Sequence, residues 1–81
     1  MNEASIHGQI TELIEEEHRL RRRLSTGTAD PQADRASLRN VEESLDQCWD
    51  LLRQREALRD AGESPDQAAA RPVRVVEDYQ Q

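Results

Sequence analysis

From Ile6 onward the apolar residues fall at Ile6, Ile10, Leu13, Leu20 and Leu24, in steps of four, three, seven and four. Those steps keep them on one side of a helix. They form a heptad seam, with Ile6, Leu13 and Leu20 at d and Ile10, Glu17 and Leu24 at a. Ile14 widens the stripe. Asn2 or Ser5 can cap the helix by accepting from free amides of its first turn. Gly27 supplies a stop at the other end. Arg19, Arg21, Arg22 and Arg23 crowd the last turns, where positive charge complements the helix dipole. The predicted first helix covers about residues 2–25.

A turn follows from Ser25 to Pro31. Asp30-Pro31 then reads as a helix start, because Asp caps and Pro suits the first helical position. The second seam is Leu38, Val41, Leu45, Cys48 and Leu52, in steps of three, four, three and four. Trp49, Leu51 and Leu58 flank it. After Leu52 the seam positions become Arg55 and Arg59, so the stripe weakens or rotates towards Leu51 and Leu58. Gly62 closes this helix, predicted over about residues 31–61.

The remaining segment, 63–81, has another pattern. Ser64-Pro65-Asp66-Gln67 has the form of a capping box with Pro at the first helical position, which predicts one short turn through Ala70. Arg71-Pro72 breaks it, because the residue before Pro avoids the helical region. Val73, Val75 and Val76 follow, either extended or in a short helix that places Val73, Val76 and Tyr79 or Gln80 on one face. The segment is expected to be a short, irregular, partly ordered C-terminal arm.

A short connection between two amphipathic helices implies an antiparallel hairpin. A blunt register sets Leu24 near Leu38, Leu20 near Val41, Leu13 near Cys48 and Ile10 near Leu52, with Trp49 near Ile10 or Ile14. The expected fold is all-α: a hairpin of two long helices over residues 1–62 and the arm. Two helices leave each stripe half covered, and both stripes exceed a two-helix seam. The hairpin is therefore expected to pair as a homodimer, a coiled-coil-like four-helix bundle. Ile10, Ile14, Leu45 and Leu52 would build its shared core. Glu17, on the seam, either snorkels out to Arg21 or acts as a buried polar residue that fixes register and oligomer state.

Composition changes this picture in one respect. Leu, Ile and Val together are 15 of 81 residues and the formal charge is −6. A share below roughly 20% with high net charge is a signature of disorder. Here, however, all the aliphatic residues but Val73, Val75 and Val76 lie in the two helical stripes. The shortage reads as a core too thin for one chain and adequate when shared. It also leaves little material to wall off a dry pocket, so no enzymatic activity and no catalytic residue is expected. No apolar run approaches the roughly 18 residues of a membrane span. Residues 1–5 lack the basic and apolar regions of a signal peptide, and Cys48 is a single cysteine. Both features point to a reducing cytoplasm.

Candidate chemistry is sparse. Glu15 and His18 have the i,i+3 spacing of metal-binding bundles, but their heptad positions face solvent and helix two offers no matching pair, so no metal or other cofactor is expected. His7 lies beside the stripe with no nucleophile placed to use it. Cys48, at d, is most simply a small buried hydrophobe. The Arg19 to Arg23 cluster adjoins Glu15 to Glu17, and no aromatics interleave for base stacking. With an acidic overall balance, nucleic acid is an unlikely partner.

The run Leu45-Asp46-Gln47-Cys48-Trp49-Asp50-Leu51-Leu52-Arg53-Gln54-Arg55 is more distinctive. With Ile6-His7, the run from Glu16 to Arg21 and the Arg71-Pro72-Val73 tail, it resembles a family of short bacterial proteins known as Domain of Unknown Function 2630. Cys-Trp-Asp-Leu-Leu-Arg is the most specific part. The resemblance spans nearly the whole chain and implies a self-contained small protein with no assigned activity. It draws interest to Gln47, Trp49, Asp50 and Arg53 as a partner-binding patch of the aromatic-plus-Arg kind. The alternative is that Trp49 fills a dimer core and Arg53 covers it. The expected role is a homo-oligomeric protein-interaction or regulatory module using helix faces and the arm. A small metal-binding bundle protein and a weak nucleic-acid-associated factor are the alternatives.

Overall fold

The structure is a computed structural model that describes the backbone of residues 2–80 and the side chains of residues 2–76. Helix α1 spans Glu3–Thr26 and helix α2 spans Pro31–Asp60. A three-residue 3-10 turn, Pro65–Gln67, and helix α3, Val73–Gln80, complete the chain. No strand occurs among the described residues.

The helix ends follow from local chemistry. Asn2 Oδ1 accepts from the Ser5 amide at 2.8 Å, and Asp30 Oδ1 accepts from the Ala33 amide at 3.1 Å. Each satisfies an amide that has no partner inside its helix. Gly27 ends α1 at φ +119°, and its amide donates to the Arg23 carbonyl at 2.9 Å. A side chain would be strained at that φ, which is why the turn falls on glycine. Gly62, at φ +76°, does the same where the chain leaves α2.

The two long helices run antiparallel. Contacts along their length set the register: Glu3 with Arg59, Gln9 with Cys48, Arg21 with Glu42 and Arg23 with Asp34. Between them Ile6, Ile10 and Leu20 from α1 meet Val41, Leu45 and Cys48 from α2 in a buried cluster. Leu13, Leu38, Leu51 and Leu52 pack partly buried against it. Each fully buried aliphatic side chain contributes about 1.5–3 kcal/mol.

The arm is more regular than an irregular tail. Of the two conformations open to the valines, the backbone adopts the helix. Pro72 stops helix growth from upstream, yet its carbonyl accepts from the Val75 and Val76 amides at 3.0 and 3.2 Å. The break is therefore also the start of α3. Val76 is fully buried, whereas Val75 is exposed. The expected place of Tyr79 or Gln80 on the Val76 face lies outside the described side chains.

Helix α2 is the centre of the molecule: α1, the 3-10 turn and α3 all pack on it. The chain measures 51 × 25 × 15 Å. A helix with its side chains is about 10–12 Å across, so the elements lie side by side in a layer one helix thick. One broad side of that layer exposes Trp49, and on the other Ala70 of the arm borders a cleft between α1 and α2.

Candidate interaction site

On α2, Gln47, Asp50 and Gln54 stand at i, i+3 and i+7 and so share one face. At 100° per residue this face lies opposite the Leu38–Val41–Leu45–Cys48–Leu52 seam. The arm is held there. Gln54 pairs with the backbone of Ala69 in both directions: its Nε2 donates to the carbonyl at 2.8 Å and its Oε1 accepts from the amide at 3.4 Å. Gln47 Nε2 donates to the Arg71 carbonyl at 3.0 Å. Between them Arg71 Nε donates to Asp50 Oδ2 at 2.8 Å, and Arg71 Nη2 reaches Asp50 Oδ1. Gln54 also donates to Asp50 Oδ2 at 2.9 Å.

Asp50 is 0% exposed. A buried carboxylate is costly unless it is paired and hydrogen-bonded, and a two-pronged guanidinium is the donor whose geometry suits it best. The Arg71 hydrogen bond holds the Asp50 carboxyl below the usual carboxylate range, against the opposing effect of burial. One turn along, Arg55 Nη1 donates to the Pro65 carbonyl at 3.3 Å and to Asp66 Oδ1 at 3.2 Å. Arg55 Nε lies 3.7 Å from Glu3 Oε1, so this buried arginine ties the 3-10 turn to the start of α1.

The four residues of the sequence-derived patch do not form one surface. Gln47 and Asp50 belong to the arm-holding face, and Asp50 is covered by the arm. Trp49 and Arg53 are exposed and share a different side of α2, one turn apart. Helical phase places Ile14 of α1 on the same broad face as Trp49. Trp49 is 43% exposed and Ile14 37%. Of the other shared-core residues, Ile10 and Leu45 are buried within the hairpin and Leu52 is partly buried. Glu17 is partly buried and lies 3.6 Å from Arg21, the snorkelling arrangement.

The opposite broad face carries an open cleft of about 640 Å³ between α1 and α2. Leu13, Val41, Cys48 and Leu51 line it, with Glu12 and Glu16 among its polar residues. Burial pushes the Cys48 thiol up, which disfavours the reactive thiolate. Glu15 and His18 are both exposed. Among the described residues no three His, Cys, Asp or Glu side chains gather as a metal site. The arginine cluster is largely paired with acids: Arg19 with Glu16, Arg21 with Glu17 and Glu42, and Arg23 with Asp34. No helix among the described residues is long and apolar enough to cross a membrane.

The roles of Gln54, Arg55 and Arg71 in holding the arm emerge only in the folded molecule. The signal was present as the polar i, i+3, i+7 spacing of Gln47, Asp50 and Gln54, opposite an apolar seam. The partner, an arginine far along the chain, carries no periodicity of its own.

The chain is 47% identical over 70 residues to the uncharacterised protein Mb0922c of Mycobacterium bovis, a match covering 86% of this chain and 80% of that one. The uncharacterised protein Rv0898c of Mycobacterium tuberculosis matches with the same identity and coverage. No solved structure matches this chain. The family model described as "Protein of unknown function (DUF2630)" matches residues 2–81, which include both seams, the Cys48-Trp49-Asp50 run and the Arg71 arm, and the chain belongs to that family.

Proposed function

We propose that this protein is a non-enzymatic interaction module that works as a homodimer, with the Ile14–Trp49 face of one copy seated on that of another. The observation that carries this reading is the single-layer architecture with its largest side chain turned outward. Domains bury apolar surface between two packed layers, and this chain supplies one. Trp49 is exposed at 43% and Ile14 at 37% on the same broad face. A two-fold axis through that face brings two hairpins together as a four-helix bundle. Trp49 then becomes the central anchor and Arg53 its cover, in keeping with the weight of Trp and Arg at interface centres. The single cysteine, Cys48, has no second cysteine to pair with inside the chain, which suits a reducing cytoplasm.

Light scattering coupled to gel filtration tests the reading. The expected mass is twice that of the 9.3 kDa chain, and Trp49→Glu should shift it to the monomer with helicity retained. A wild-type chain that stays monomeric at millimolar concentration overturns the proposal.

A further inference from the structure

We propose that the Gln47–Asp50–Gln54 face of α2 is a peptide-binding site that takes an extended, arginine-bearing segment, and that residues 69–71 are a displaceable ligand occupying it from within the chain. The proposal does not depend on self-association: Gln47, Asp50 and Gln54 lie on a different side of α2 from Trp49, and Arg53 alone borders both. Three observations carry it.

First, the contacts read a peptide and not a shape. Gln54 and Gln47 address backbone groups of Ala69 and Arg71, and Asp50 takes the Arg71 guanidinium. The bound stretch is not helical from Ala68 to Pro72, and Ala69 and Ala70 are exposed. Pro72 keeps Arg71 out of the helical region, so the segment arrives already extended. Any segment with an arginine at this place, in this backbone form, presents the same groups.

Second, the pairing is of the replaceable kind. Another guanidinium in the same place restores the contacts that Arg71 gives up, so an exchange of segments leaves no charge unpaired. The contact is also selective, since a segment without the arginine would leave Asp50 buried and unpaired. Third, the site is reachable. Arg71 is 37% exposed while Asp50 is at 0%, and a second cleft of about 210 Å³ opens beside the pair, lined by Arg53, Gln54, Ala57 and Arg71. The tether runs through the turn at Gly62, a glycine in a backbone conformation that other residues resist.

The tether also sets the order of events. A ligand on a short linker competes at an effective concentration of roughly millimolar. An outside segment therefore binds weakly until the arm is loosened, and the arm acts as a built-in competitor for a partner's arginine segment. The test uses the full chain and a fluorescently labelled synthetic peptide with the sequence of residues 64–80. The Arg71→Ala chain should bind this peptide at least tenfold more tightly than the wild-type chain does. Replacing the arginine of the peptide that corresponds to Arg71 by alanine, or adding Asp50→Asn to the chain, should abolish the gain. Binding that ignores the peptide's arginine, or no binding by a folded Arg71→Ala chain, overturns the proposal. Should that variant fail to fold, the wild-type chain is titrated with unlabelled peptide to millimolar excess. Shifts in the NMR signals of the Gln54 side-chain amide and the Ala69 backbone amide support displacement, and unmoved signals overturn it.

Discussion

The two opposite faces of α2 solve the same problem with different chemistry. One face meets α1 through Val41, Leu45 and Cys48, a greasy seam whose contacts are non-directional. The other meets the arm through Gln47, Asp50 and Gln54, a polar stripe whose contacts depend on geometry. The seam gains free energy from every methylene it removes from water and tolerates small shifts. The stripe gains little net free energy per hydrogen bond, yet rejects any partner that leaves Asp50 without a donor. The seam therefore supplies stability, and the stripe supplies selectivity for what lies on it. The difference explains how an 81-residue chain with few aliphatic residues keeps one face for holding itself together and one for a specific contact.

Cutting into the seam should have the largest effect. Ile10 is 4% exposed and lies in the main apolar cluster, so Ile10→Ala should cost about 2–4 kcal/mol of global stability. Urea unfolding followed by circular dichroism checks this. A loss confined to one end of the hairpin would show that the seam is not one cooperative unit.

The stripe should fail differently. Arg71→Ala removes the main donor from Asp50, and the arm can then lift so that water reaches the carboxylate. The expected cost is about 1–3 kcal/mol, below the value for a fully trapped charge because Arg71 is itself partly exposed. Hydrogen exchange should show faster exchange at Ala69, Val75 and Val76 with little change at Ile10 and Leu45. Equal acceleration in both regions would erase the contrast between the two faces.

Acid gives the smallest of the three effects and sharpens the contrast most cleanly. The Asp50 carboxyl lies below the usual carboxylate range because of its hydrogen bond with Arg71. A group depressed in the folded state contributes stability above its unfolded value, about 3.9, and loses it as pH falls through the folded one. Arm protection should stay level from pH 7 to 5 and decline below about pH 4. The aliphatic contacts of the seam do not titrate, and the pairs that flank them, Glu3–Arg59, Arg21–Glu42 and Arg23–Asp34, each have an exposed arginine and contribute little, so the seam should lag behind. Arm protection that begins to fall above pH 5 would mean that another group governs the contact.

The candidate site was legible only in pieces. Asp50 stood out for its place beside the Cys48-Trp49 pair, but its burial did not. An aspartate at a position facing away from an apolar seam reads as solvated, and only a distant arginine makes its burial affordable. Arg71 reads as a helix breaker with Pro72, since one guanidinium in an aperiodic segment has no pattern to reveal its partner. Trp49 was legible as a residue beside the seam, and the structure adds that a large part of it remains exposed.

The sequence by itself determined the two long helices, their caps and turns, and the face each turns inward. Those features rest on local spacing, on side chains that cap neighbouring amides, and on glycines where φ is positive, all set within a few residues of one another. The tertiary structure alone decided that the arm folds back on α2, that α3 forms after Pro72, and that the molecule is one layer thick. The return of the arm rests on Arg71 meeting Asp50 across 21 positions of chain. A pairing of that kind is chosen by geometry and desolvation in the folded molecule, and no periodicity along the sequence records it.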